Sequence, residues 1–250
     1  MCVMDIHLEG IEKTSFENGD VLHLLEEISD RKISVALSLP PWMEDYWKEN
    51  NAEVIKQVRK IVRIPGNVLG QQGNTHKCRK GHVCVDEWHE NRCPYGGSPR
   101  KEEQRELMET GRQRLIDLIG VSPQLYVPPN HLFNHNTLEA ASEMGYKFFA
   151  VKAVIPLQPY RFGNLIVIPE RDLTKGQLNG AAAYIHYDEI DANKDHYREA
   201  VRRASPLDKV RPEFVNPDKI FLNNSLVLGW KVMRDVIKLP KRLKKMKASA

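Results

Sequence analysis

The sequence predicts an α/β protein, a TIM-like (β/α) barrel that is either closed but distorted or incomplete. Three observations predict it. Short apolar runs that read as strands alternate with stretches of helical periodicity along most of the chain. The strand-like runs are almost continuously apolar, as expected of a parallel sheet covered by helices. The polar residues that interrupt them gather at their C-terminal ends, where a barrel carries its functional loops.

Taken in order, Cys2 to Leu8 alternates loosely and reads as a first strand, closed by Glu9-Gly10. From Asn18 to Ser29, the residues Val21, Leu22, Leu24, Leu25 and Ile28 recur at helical spacing. Lys32 to Leu39 is a second strand, stopped by Pro40-Pro41, and Trp42 to Val62 is helical in character. Asn67 to Gln71 is a third, short strand. A helix then starts with Ser98 as its cap, Pro99 at the first helical position and acids in the first turn, and runs to Ile119 before Gly120. Leu125 to Pro129 supplies a fourth strand, Asn136 to Met144 a helix ended by Gly145, and Lys147 to Val154 a fifth strand. Leu165 to Pro169 and Ala181 to His186 are the sixth and seventh. No linker rich in Pro, Gly or Ser divides the chain; residues 1–205 are expected to form the barrel and residues 206–250 a helical extension with a basic tail.

Composition narrows the function classes. A hydrophobic fraction of 41% with 28% charged residues describes a globular protein, and no apolar run approaches the ~20 residues of a membrane span. The net charge of +4 comes largely from Lys238 to Lys247, so the body is near neutral and gives no case for nucleic-acid binding. In the tail, Val232, Val236, Leu239, Leu243 and Met246 recur at near-helical intervals with basic residues between them. Such a helix either rests peripherally on an anionic membrane or is simply solvated. The N-terminus lacks a basic region followed by an apolar one, so a cytoplasmic location is expected. In that reducing setting clustered thiols point to metal more than to a disulfide framework.

The densest chemistry lies between Gly70 and Cys93, which holds three of the four cysteines and three of the nine histidines. Imidazole and thiolate both suit zinc-like ions. Cys78, Cys84 and Cys93 with His82 or His89 could form a structural zinc site, pair by oxidation, or merely pack a loop; their spacings are not those of paired CxxC motifs. Elsewhere the strand ends carry Asp5 and His7, Gln72 to His76, Asn130 and His131, Glu170, and His186 with Asp188. Asp5 and His7 are two apart, share one face of a strand, and can converge on one ion.

The order and spacing of these strand ends resemble the polysaccharide deacetylase superfamily, the NodB-homology fold, over roughly residues 2 to 190. The matching parts are Met4-Asp5-Ile6-His7, Leu37-Ser-Leu-Pro40-Pro41-Trp42, Gln72-Gly73-Asn74-Thr75-His76, Tyr126-Val-Pro-Pro-Asn-His131 with the following helix to Gly145, and Tyr184-Ile-His186-Tyr-Asp188. The resemblance implies a hydrolase that removes the acetyl group from an N-acetylated sugar or related amide, aided by a divalent ion, Zn2+ foremost. It implies Asp5 as base and His186 as acid, with Asp188 orienting the ring or capping the next helix. His7 and His76 would be metal ligands, with His89 a further one, and Gln72, Pro129, Asn130 and His131 would face the substrate. Two departures stand out. His7 occupies the place of a second acid on the first strand, and Gln72 stands where the family's first metal histidine would. Either the site is rebuilt around His7 or catalysis is lost. The alternatives are a carbohydrate-binding pseudoenzyme of the same fold and a zinc-stabilised interaction protein.

Overall fold

The structure, a computed structural model, describes residues 3–8, 20–43, 52–75, 99–155, 157–175, 182–186, 189–213, 220, 222–229 and 233. Among the described residues, eight strands form one sheet: β1 (Val3–His7), β2 (Ala36–Leu39), β3 (Val68–Gln72), β4 (Leu125–Val127), β5 (Phe148–Lys152), β6 (Tyr160–Phe162), β7 (Leu165–Asp172) and β8 (Ala182–His186). All but β6 are parallel, and they close in the order β1-β2-β3-β4-β5-β7-β8 and back to β1. The expected barrel is therefore present and closed, with seven parallel strands. Helices α1 (Asp20–Asp30), α2 (Ala52–Ile61), α3 (Lys101–Ile119), α4 (His135–Glu143) and α5 (Lys194–Arg203) follow in chain order.

Strand alternation divides the side chains between two environments. Met4, Ile6, Leu37, Leu39, Leu69, Ala183 and Ile185 face outward and pack with Leu25 and Ile28 of α1, Val58 and Ile61 of α2 and Leu115 of α3. Tyr126, Phe149, Val151 and Val167 pack on the other flank with Leu138 and Ala141 of α4. Each such fully buried aliphatic contributes about 1.5–3 kcal/mol. Inside the barrel, the first inward residues of the strands are apolar, among them Val3, Ala36, Val68, Leu125, Phe148, Ile168 and Ala182. Leu207 and Val210 join this cluster and close the N-terminal end of the barrel. Further along the same inward rows come Asp5, His7, Ser38, Gln72, Lys152, Glu170, Asp172, Tyr184 and His186. The interior is thus oily at one end and polar at the other, because each strand changes character along its length while keeping its period of two.

Two details differ from the expectations. The long helix begins at Lys101 with Arg100 as its N-cap, later than a Ser98 cap would place it; the Glu103 carboxylate accepts from the Arg100 N–H at 2.7 Å and so satisfies one of the first-turn donors. Its other end is as expected, with Gly120 in the left-handed region (φ 79°). The sixth predicted strand is longer than its proline suggested and carries a hairpin partner, β6, whose Gly163-Asn164 turn is a recognisable hairpin signal. Strand β7 passes through Pro169 because of how its neighbours are arranged. Ile166 N–H donates to Lys147 and Glu170 C=O accepts from Ala153, the two residues that flank β5, so residue 169 turns its backbone to the opposite side. There β6 has ended at Val167 and β8 begins at Glu170, and the missing N–H deprives no ladder of a bond.

Candidate metal centre

Asp5 lies at the middle of β1, fully buried, with three polar neighbours. Ser38 Oγ donates to its Oδ1 at 2.7 Å, His7 Nε2 stands 3.2 Å from its Oδ2, and the Glu170 carboxyl approaches it from β7. Ser38 reaches Asp5 because residue 70, its partner on β3, is glycine: a Cβ there would collide with the serine hydroxyl. One donor atom from each of Asp5, His7 and Glu170 lies within 4.8 Å of the other two, and all three residues are buried. This was the one such group found among the described residues.

The electrostatics of the cluster are those of a site short of positive charge. Burial holds the Glu170 carboxyl well above its ordinary range, and the neighbouring Asp5 carboxylate raises it further. Its Oε2 is buried without a hydrogen-bond partner among the described residues. Two buried carboxyls facing one imidazole make a donor set of hard and borderline character, suited to Zn2+, Mn2+ or Fe2+. The spacing fits as well. Two ligands about 2.0–2.1 Å from one ion at a tetrahedral angle are roughly 3.3 Å apart, against 3.2 Å between Asp5 Oδ2 and His7 Nε2.

Around this group stands an aromatic and imidazole wall. The Tyr184 ring stacks on His7 (5.2 Å between centroids, 20° between planes), and His186 meets the His7 ring edge-on at 5.4 Å. His131 lies 5.0 Å from Tyr184 and 6.0 Å from His7. Lys152 Nζ donates to Tyr184 Oη at 2.8 Å. Burial raises the Tyr184 phenol, and the Asp172 and Glu170 carboxylates add to the effect, so it stays protonated. His186 Nδ1 sits 3.1 Å from Glu189 Oε2, and this hydrogen bond is the main reason the Glu189 carboxyl falls below its usual range.

The turn at Pro129, Asn130 and His131 is backbone-strained. Asn130 and His131 both have φ of 55°, the left-handed region that costs a non-glycine residue about 1–3 kcal/mol. Pro129 is buried, and His131 is enclosed in the wall, only 8% exposed, rather than set out on the rim.

Of the residues expected from sequence, Asp5, His7, Gln72, His131 and His186 come together, with Pro129 and Asn130 in the turn that carries His131. His76, Cys78, Cys84, His89, Cys93 and Asp188 lie outside the described residues. Glu189 is hydrogen-bonded to His186. Glu170 was read as a polar residue after the sixth strand but given no role, and Lys152 was not singled out; the signal for both is their inward parity on β7 and β5.

No protein-family model matches the sequence, and no curated protein matches it. Solved structures do. A 4-α-glucanotransferase of Thermococcus litoralis superposes with a TM-score of 0.52 at 12% identity, over 88% of this chain and 38% of that one. A protein of Mycobacterium smegmatis described as a polysaccharide deacetylase gives 0.49 at 13% identity, over 86% of this chain and 93% of that one. A pseudoenzyme of carbohydrate esterase family 4 from Bacillus anthracis gives 0.48 at 11% identity, over 81% of this chain and 60% of that one. At these identities the likeness is one of fold alone.

Proposed function

We propose that the protein is a metal-dependent hydrolase that removes an acetyl group from an N-acetylated sugar or a related amide. The observation that carries this reading is the convergence of Asp5, His7 and Glu170 at the polar end of the barrel, beside the His186–Glu189 pair. In this reading Asp5, His7 and Glu170 hold a divalent ion. When bound, the ion supplies Lewis acidity: it lowers the pKa of water toward ~7 and polarises a carbonyl. The chain's own residues do the rest. Ser38 fixes the Asp5 carboxylate through Oδ1 and leaves Oδ2 for the ion or for a proton. Glu189 holds His186 Nδ1, so Nε2 is the nitrogen that passes a proton to the leaving amine. Tyr184, stacked on His7 and tied to Lys152, packs against the imidazole.

A second reading, binding of a carbohydrate without hydrolysis, is favoured by the depth of the donors: Asp5, His7 and Glu170 are 0%, 1% and 2% exposed.

The test is acetate release from N-acetylglucosamine oligomers by protein loaded with Zn2+ or Mn2+, with metal content measured in parallel. Hydrolysis that requires the ion and is lost in Asp5→Asn supports the enzyme. A bound ion with no acetate released from any N-acetylated substrate supports the binding protein.

A further inference from the structure

We infer that Gln72 is a positioning residue for His7, one that serves both protonation patterns of the imidazole and so couples the ring to metal uptake. The inference rests on the metal-dependent reading above. Gln72 ends β3, is 3% exposed, and places its amide 3.4 Å from His7 Nδ1, while the opposite nitrogen, Nε2, faces Asp5 at 3.2 Å. Stacking on Tyr184 fixes the ring plane, so the two nitrogens keep these separate partners.

An ion held with Asp5 and Glu170 needs the lone pair of Nε2. The ring proton must then sit on Nδ1, and a buried N–H requires an acceptor. Without the ion the arrangement reverses: Nε2–H points at Asp5, and Nδ1 accepts. A carboxylate beside Nδ1 could serve only the first state and a lysine only the second. A carboxamide serves both, because a half-turn of its terminal group exchanges oxygen for nitrogen and the two orientations have the same shape. Partners of this kind on the far nitrogen of a ligating histidine set its tautomer and are worth about 10–100-fold in metal affinity. Gln72 thus acts through His7 and not as a ligand of its own.

The experiment titrates the full-length, metal-free protein with Zn2+ by calorimetry and follows the ring nitrogens of His7 by 15N-edited NMR, assigning them by difference from His7→Ala. Gln72→Leu, which keeps the bulk and loses both functions, is expected to bind Zn2+ 10–100-fold more weakly at an unchanged stoichiometry. Gln72→Glu, which can only accept, is expected to restore wild-type affinity and to show His7 protonated at Nδ1 even before zinc is added. Zinc affinity in Gln72→Leu equal to that of wild type would overturn the inference. So would a His7 tautomer that is the same in wild type, Gln72→Glu and Gln72→Leu. The two readings separate cleanly: if His7→Ala and Glu170→Gln bind zinc as wild type does, the metal site itself is wrong and the role of Gln72 falls with it. If those variants lose zinc while Gln72→Leu keeps it, only the role of Gln72 fails.

Discussion

Ser38 and Gly70 face each other across the β2–β3 pairing, and the serine hydroxyl fills the space that a side chain at residue 70 would take. That hydroxyl is what tethers Asp5 Oδ1 at 2.7 Å. The glycine is thus part of the site although it carries no functional group. Gly70→Ala is expected to push Ser38 off Asp5 and to cost about 1–3 kcal/mol through overpacking. Ser38→Ala removes the tether without the clash and should cost about 1.5–3 kcal/mol, the range for a hydrogen bond to a charged group, whereas Gly70→Ala loses the same bond and adds the overpacking. Urea denaturation of the two variants checks the order, Gly70→Ala being the less stable.

Glu170 makes the stability of the metal-free protein pH-dependent, and the sign follows from its raised pKa. The unfolded chain releases this proton near the ordinary value of 4.5, whereas the folded protein holds it to higher pH. Between the two values the folded state binds more protons, so stability falls as pH rises above about 4.5. A divalent ion that replaces the proton should abolish the fall. Thermal unfolding between pH 4.5 and 8 is expected to give melting temperatures of loaded and metal-free protein that diverge as pH rises, with a flatter metal-free profile in Glu170→Gln.

His186 and Glu189 are expected to matter to turnover more than to folding, since the pair sits at the partly exposed edge of the site. If His186 delivers the proton to the leaving amine, His186→Ala should lower kcat for acetate release by about 10²–10⁴-fold, the usual worth of a general acid. Glu189→Gln should lower it less, on the order of tenfold, by loosening the ring. The Glu189 carboxyl titrates below its ordinary range because of His186. Its hold is therefore complete above about pH 4.5 and is lost as pH falls through the depressed value. The pH profile of the wild type should lose activity on that acidic side, and Glu189→Gln should lack this limb.

The strands were legible because each is short, apolar and punctuated: all seven parallel strands were predicted, and Asp5, His7, Gln72 and His186 were found as polar residues at their ends. The closure of the barrel was not fixed by those local signals. It rests on the pairing of β5 with β7, which skips β6, and on β8 returning to β1, pairings between segments far apart in the chain. Glu170 was read as a polar residue following the sixth strand, and it was given no role for a local reason. Pro169 reads as a strand stop, which puts the next residue in a loop, whereas β7 runs on to Asp172 because the proline turns toward a gap between β6 and β8. His7 and Glu170 could be brought together only by that continuation.

Gln71, the outward neighbour of Gln72, gives a prediction about stability with a consequence for the site. It is fully buried, its Nε2 donates to the carbonyls of Gly73 (2.9 Å) and Met108 (3.0 Å), and its Oε1 accepts from Tyr146 Oη at 2.6 Å. The side chain thereby ties the end of β3 to helix α3, whose Gly111 leaves room for it: a Cβ there would come within 2.5 Å of Gln71 Nε2. Tyr146→Phe removes one donor and leaves the amide oxygen buried and unpaired, which costs about 1–3 kcal/mol. Gly111→Ala would drive the amide off both carbonyls and should cost at least as much, even though alanine is the better helix former by about 1 kcal/mol. The Gly73 turn that Gln71 holds follows directly on Gln72. Gly111→Ala is therefore expected to weaken zinc binding along with stability, while Tyr146→Phe, which leaves both Nε2 bonds in place, lowers the melting temperature and leaves zinc affinity within about twofold. Equal loss of zinc affinity in the two variants would show that Gln71 supports the fold alone and not the alignment of Gln72.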